Sequence, residues 1–293
     1  SGSAEYWDGV SPYGYAGPVV GGPRGSNASR KIFLSRAFPE LLQEMRERQI
    51  IASFLRLHPL LPIPRIPMLS FQDHGPTVYV DLQLSAEELE RQTRPRFRTY
   101  IRKAREAGMV TVRDRSWKQR ESFTRLYYQT MRRVGARPEY FFPSSYFEHM
   151  AGELRDVFSL FTVLADGEVV AAAVFSEYEG IVQYHLGAGL GEGAYEHASK
   201  LLISDVCRWA KERGNRLLHL GGGLGSAEDS LFQFKAGFSR NRASFATSRL
   251  IAHPAAYADC VERWSASVAA DVCQGTGFFP AYRSPLPTAA EAA

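Results

Sequence analysis

Between His219 and Phe238 the chain reads HLGGGLGSAEDSLFQFKAGF. Gly221, Gly222, Gly223 and Gly225 crowd the turn, Glu228 and Asp229 follow, and Lys235 sits among Phe232, Phe234 and Phe238. Without side chains, such glycines let a backbone approach a bound group closely. An ammonium beside them stabilises negative charge that develops during a reaction. The alternative for Lys235 is a packing lysine, its stem laid on Phe234 and Phe238. Asp229 and Glu228 read as caps of a short helix beginning near Ser226 rather than as bases. His185, His197 and His219 lie near glycine turns and read as structural, with His219 the one placed to face a cleft.

Other chemistries are excluded or weakly matched. No Gly-Lys dipeptide occurs, so a GxxxxGK[ST] phosphate loop is absent. Gly187, Gly189 and Gly191 give GxGxG where a dinucleotide fingerprint needs GxGxxG between a strand and a helix. Gln183 followed by Gly187-Ala188-Gly189 misses a Q/R-x-x-G-x-G/A pyrophosphate loop by one residue. Cys207, Cys260 and Cys273 are odd in number, lack metal-like spacing and read as ordinary small residues. No metal constellation is visible.

Charge is concentrated. The net charge is +4, yet residues 91–137 hold 15 Arg or Lys against 3 acids. That excess suits a polyanionic partner; a solvated basic face is the alternative. With 45% hydrophobic residues in 293, the chain can bury a sizeable core as one large domain or two ordinary ones. Its longest apolar run, Val169 to Phe175, is far short of the roughly 20 residues a membrane span needs. No charged segment followed by an apolar core marks a secretion signal, so the expectation is a cytoplasmic protein without membrane insertion.

The elements around these residues follow from periodicity. Residues 5–30, rich in Gly, Pro and aromatics, read as an ordered loop whose Tyr13 and Tyr15, with Trp7, offer flat surfaces to a substrate. Residues 38–57 read as one helix with Pro39 in its first turn, and 76–84 as a strand. Ser85 three residues before Glu88 forms a capping box. Residues 95–108 form a helix with Phe97, Ile101 and Ala104 on one stripe and Arg98, Arg102, Lys103 and Arg105 largely elsewhere. A short strand and a helix over 116–135 follow. Residues 160–165, 168–178 and 181–186 read as an antiparallel meander, and Ala198, Leu201, Leu202, Asp205 and Trp209 share a helix stripe. RLLHLGGG and SFATSRLIAH read as strands on either side of the short helix that holds Lys235. This mixed order indicates an α/β or α+β sheet protein.

The segments AYEHASKLLISDVCRWAK and ERGNRLLHLGGGLGSAEDSLFQFKAGF resemble the second domain of the FemABX family of aminoacyltransferases and their GNAT-superfamily relatives, FKAGF being the most specific part. FRTYIRKAREAGMVTV resembles that family's arginine-rich stretch, SPYGYAGP its N-terminal loop in a smaller subgroup, and FFPAYR its closing segment. The resemblance covers most of the chain and is thin over 24–90. The chain is shorter than the cell-wall enzymes and lacks the coiled-coil arm of some.

This resemblance implies two GNAT-like subdomains with mixed, largely antiparallel sheets flanked by helices: residues 1–112 joined by 264–293, and 113–263 carrying the glycine loops and FKAGF. It implies transfer of an amino acid from aminoacyl-tRNA, the donor co-substrate, to an amine of a peptide-like or nucleotide-linked acceptor, either a peptidoglycan precursor or a specialised-metabolite peptide intermediate. No cofactor is implied. Lys235 takes the catalytic place; Tyr13, Tyr15, Gly221, Gly222, Gly223, Phe232 and Phe234 are the substrate-binding candidates; Arg96, Arg98, Arg102, Lys103 and Arg105 are the tRNA-binding candidates. Acyl-CoA-dependent (for example acetyl-CoA) N-acyl transfer and a non-catalytic RNA-binding role are the alternatives. A monomer is the simplest expectation.

Overall fold

The computed structural model describes residues 5–20, 27–191, 193–268 and 277–284. In chain order the elements are β1 (Trp7–Val10), α1 (Asn27–Glu47), β2 (Ile50–Arg56), β3 (Ser70–Asp81), α2 (Ala86–Gln92), α3 (Pro95–Glu106), β4 (Val110–Asp114), α4 (Arg120–Arg133), α5 (Ser144–Gly152), β5 (Phe158–Ala165), β6 (Glu168–Tyr178), β7 (Ile181–Gly189), α6 (Ala198–Glu212), β8 (Leu217–Gly221), α7 (Ser230–Lys235), β9 (Arg242–Ile251) and α8 (Pro254–Val268). Two compact units divide at 74/75 and 243/244, where the sequence reading divides at 112/113 and 263/264.

The unit Gly75–Ala243 is a mixed α/β layer with strand order β3-β8-β7-β6-β5-β4. Its pairings are antiparallel except β7 with β8, which run parallel. Strand alternation sends successive residues of β5 to β7 to opposite faces. Phe161, Val163, Ala171, Ala173 and Phe175 enter one core with Ile101 and Ala104 of α3 and Leu201, Leu202 and Val206 of α6. Leu160, Ala172, Val174, Leu186 and Ala188 enter a second core with Phe123, Leu126 and Tyr127 of α4 and Phe147 of α5. A sheet covered on both faces explains why β6 reads as the unbroken apolar run VVAAAVF. In the other unit, β1 pairs parallel with β2 and β2 antiparallel with β9, and α1 buries Leu34, Phe38 and Met45 with Leu57, Leu69 and Leu250.

Several boundaries differ from the sequence reading. The helix expected over 38–57 is α1, which starts at Asn27, carries Pro39 in its interior and stops at Glu47. Gln49 then takes a left-handed φ of 58°, and the β-branched Ile50 and Ile51 open β2, which bonds to β9. Strand pairing, invisible in the local pattern, overrode the helical period. The loop expected over 5–30 contains β1 and the start of α1. The strand expected over 76–84 is β3, six residues earlier at its start. α4 begins at Arg120 because the chain turns at Trp117 (φ 55°) and the Asp114 carboxylate accepts from the Gln119 N–H at 2.7 Å. Neither α5 nor α8 was anticipated. The capping box of α2 is present in full, Ser85 accepting from Glu88 N–H and Glu88 accepting from Ser85 N–H.

Candidate active site

The GGG turn and α7 bring Lys235 back against β8. Asp229 caps α7, accepting from Phe232 N–H at 2.8 Å, and its other oxygen accepts from Leu224 N–H at 2.9 Å. One carboxylate thus pins both ends of the intervening loop. Gly221 ends β8 at φ 81°. A Cβ on Gly223 would lie 2.0 Å from the Ala227 carbonyl oxygen and 2.4 Å from Asp229 Oδ1, so this glycine makes room for the chain's own loop. Gly222 turns its carbonyl to Lys235, whose Nζ donates to it at 2.6 Å.

Lys235 is buried, and its Nζ lies 5.7 Å from the centre of the Tyr184 ring. Burial pulls its pKa down to about 8, the Asp229 carboxylate pulling the other way. Tyr184 lies on β7, and Gly187 makes room for it: a Cβ there would meet the Tyr184 hydroxyl at 1.7 Å. Burial pushes that hydroxyl up to about 12. Nothing in the sequence pattern singled out Tyr184; only the cross-strand placement links it to Lys235.

β7 and β8 pair over three positions, Ile181 with Leu217, Val182 with Leu218 and Gln183 with His219. The rest of β7, from Tyr184 to Gly189, has no partner on β8. Lys235, the Gly222 carbonyl and Tyr184 gather beyond the last paired position. His219 is fully buried and meets Gln183 Oε1 at 3.3 Å through Nδ1. His185 meets the Tyr146 hydroxyl at 2.6 Å, and burial lowers its pKa to about 4, so it is neutral at ordinary pH.

The basic residues of α3 divide into two groups, because a helix of 3.6 residues per turn carries positions 98, 102 and 105 away from 96 and 103. Arg98, Arg102 and Arg105 line a groove of about 670 Å³ with Glu90, Arg208 and Lys211. There Arg105 and Arg208 share Asp205 at 2.8 and 2.6 Å, which makes Asp205 an ion-pair hub rather than part of an apolar stripe. Arg102 pairs with Glu106 at 3.6 Å, and Arg98 donates to the Glu90 carbonyl at 3.1 Å. Arg96 instead lies over Tyr100, which stacks on His197 at 4.0 Å; Lys200 is 5.2 Å from the same ring. Burial lowers the pKa of both His197 and Lys200, and Lys103 acts on His197 in the same direction. Sequence reading missed His197, Lys200 and Tyr100 as a cluster, since two elements supply them.

The remaining candidates sit elsewhere. Phe232 is buried in the core, and Phe234 packs against Phe97 and Phe238 at 6.2 and 5.5 Å. Tyr13 and Tyr15 belong to the other unit, where Tyr15 packs edge-on against Phe245 at 5.1 Å and Tyr13 is exposed. Cys207 and Cys260 are free thiols, and Cys273 lies outside the described residues. Among the described residues no helix is long and apolar enough to cross a membrane, and no group of three or more His, Cys, Asp or Glu could hold a metal ion.

A model of the acetyltransferase (GNAT) domain matches residues 91–236, from the residue before the end of α2 to the residue after Lys235. Over this segment the chain carries a GNAT-type acetyltransferase domain. No curated protein matches it significantly. Among solved structures it is similar to FemX, with a TM-score of 0.61 and 14% identity over 80% of each chain. It is also similar to the C-terminal domain of a putative lysylphosphatidylglycerol synthetase from Agrobacterium fabrum, with a TM-score of 0.51 and 15% identity over 72% of this chain and 71% of that one. Its similarity to L-PGS from Bacillus licheniformis has a TM-score of 0.50 and 14% identity over 72% of this chain and 71% of that one. These likenesses establish a shared fold, that of GNAT-type acyltransferases.

Proposed function

We propose that this GNAT-type chain is an aminoacyltransferase that forms an amide bond, moving an amino acid from aminoacyl-tRNA to an amine of a peptide-like acceptor. The observation that carries the reading is the buried Lys235 amine, held at 2.6 Å by the Gly222 carbonyl at the end of the matched domain. The FKAGF resemblance and the FemX fold support the choice of donor.

An aminoacyl ester is already activated, so positioning supplies much of the catalysis. The acceptor nitrogen attacks the ester carbonyl, the bond to the ribose oxygen breaks, and the proton lost by the amine passes to that oxygen or to water. Lys235, an ammonium below about pH 8, stabilises the oxyanion of the tetrahedral intermediate. Desolvation strengthens its effect, since a charge removed from water acts through a lower dielectric. Gly221, Gly222 and Gly223 form the main-chain wall beside it, and the groove of Arg98, Arg102 and Arg105 offers charge to the donor's phosphates.

The test uses total tRNA charged with radiolabelled amino acids beside labelled acetyl-CoA, with transfer to a panel of amines as the readout. RNase-sensitive transfer is the expected result. Transfer from acetyl-CoA alone assigns the chain to acyl-CoA chemistry, and RNA binding without any transfer assigns it the non-catalytic role. Lys235→Met is expected to lower the transfer rate by about a hundredfold or more, in the range of a lost oxyanion donor. A wild-type rate in that variant removes Lys235 from the mechanism.

A further inference from the structure

The unit formed by residues up to His74 and from Ser244 has a cavity of about 660 Å³ whose lining, among the described residues, belongs to that unit and lies outside the segment 91–236. Its charges do not balance. Three guanidiniums, Arg56, Arg249 and Arg283, line it with one carboxylate, Asp8. Asp8 is already engaged: it accepts from Arg283 Nε at 2.9 Å and from the Tyr282 hydroxyl. Arg56 and Arg249 have no carboxylate partner among the described residues. Arg56 donates to the Ser11 carbonyl at 3.1 Å. Arg249 donates to Gln72 Oε1 at 3.1 Å and to the Gly277 carbonyl, while its buried Nε finds no acceptor among the described residues.

Aromatic rings hold both cations. Arg56 lies over Phe54 at 5.2 Å and Arg249 over Phe279 at 5.5 Å, and the two rings are 6.5 Å apart, giving a run of cation, ring, ring, cation along the wall. Phe279 is backed in turn by Tyr257, stacked at 5.8 Å, so the guanidiniums are pre-positioned. Trp7 and Phe278, also in the lining, are 57% and 44% exposed. Solvent-exposed aromatic surface beside arginines that no described carboxylate neutralises favours one kind of guest.

We infer that this cavity binds a small ligand in which an anionic group, carboxylate or phosphate, is joined to a flat apolar body. The anion meets the forks of Arg56 and Arg249, where guanidinium geometry suits two-oxygen recognition. The flat body covers Trp7 and Phe278. The inference rests on other residues than the transfer reaction proposed above, all of them in the other unit.

Calorimetric titration of the full chain, without tRNA or acceptor, tests it. N-acetyl-L-phenylalanine and phenyl phosphate probe the two anionic sources; acetate, inorganic phosphate and N-acetyl-L-phenylalaninamide lack either the ring or the charge. Saturable binding of at least one ring-bearing anion is expected, with each incomplete probe weaker by about tenfold or more. The stronger of the two anionic probes identifies the source. Arg56→Gln or Arg249→Gln is expected to weaken that binding by a similar factor, and wild-type affinity in both variants overturns the proposal. So does the absence of saturable binding, or equal binding of the bare anion or of the uncharged amide. Should a variant fail to fold, phenylglyoxal labelling of the wild-type chain replaces it: the bound probe is expected to protect Arg56 and Arg249, and undiminished labelling overturns the site. Because no transfer is measured, failure here leaves the proposed reaction standing.

Discussion

At the scale of single residues, Lys235 carries two separable predictions. Its pKa of about 8 in the folded chain lies below its ordinary 10.5. Between those two values the unfolded chain binds more protons than the folded one, so stability rises with pH across that window, by at most about 3 kcal/mol. Urea unfolding on either side of the window is expected to show the rise in the wild type and its loss in Lys235→Met. The transfer rate has the opposite dependence, declining as pH passes about 8 and the ammonium is lost. A pH–rate profile without that declining limb would mean that the charged amine plays no part. Gly223 is a second residue-scale case. An added Cβ meets a backbone carbonyl at 2.0 Å, an atom fixed by the loop, so Gly223→Ala is expected to lower the melting temperature and displace the Gly222 carbonyl from Lys235.

At the scale of elements, α7 is six residues long and too short to be stable alone. It persists because Phe232 is buried beneath it and Asp229 caps it. Asp229→Ala is expected to cost about 1 kcal/mol through the lost cap. It also releases the Leu224 bond, so the transfer rate is expected to fall while substrate affinity changes less, which steady-state kinetics reads as a kcat effect. Asp229→Asn keeps one oxygen for the Phe232 N–H but turns a donor amide toward the Leu224 N–H, so it is expected to recover the stability of the cap and not the rate. The parallel contact of β7 with β8 is the other element-scale feature. Ending after Gln183 and His219, it leaves the later part of β7 bonded to β6 alone, with Tyr184 beside Lys235 of α7.

At the scale of the whole molecule, charge is distributed unevenly along a chain of net +4, with the excess in residues 91–137. Folding neutralises part of that excess at the surface, through Arg102 on Glu106 and through Arg105 on Asp205, which Arg208 shares. Exposed pairs of this kind are weak and exchange readily for phosphate. Binding of tRNA is therefore expected to fall steeply with salt, and replacing Arg98, Arg102 and Arg105 together by Gln is expected to reduce the slope of log K against log salt by up to about 3. An unchanged slope, measured by filter binding, would move the RNA contact off this groove.

The sequence by itself determined the features written in local chemistry. The capping box at Ser85 and Glu88, the amphipathic α3, the meander of β5 to β7 and the Asp229 cap each need only neighbours within a few residues, so their signals survive in one dimension. Tertiary structure alone decided the rest. Ile50 to Arg56 becomes a strand because β1 bonds one edge of it and β9, nearly 200 positions away, the other, partners that local periodicity cannot register. Lys235 acquires its lowered pKa, its Gly222 acceptor and the Tyr184 ring from packing against groups 13 to 51 positions distant along the chain. Burial is a property of packed surroundings, and a lysine's proton affinity is set by what surrounds it rather than by what precedes it.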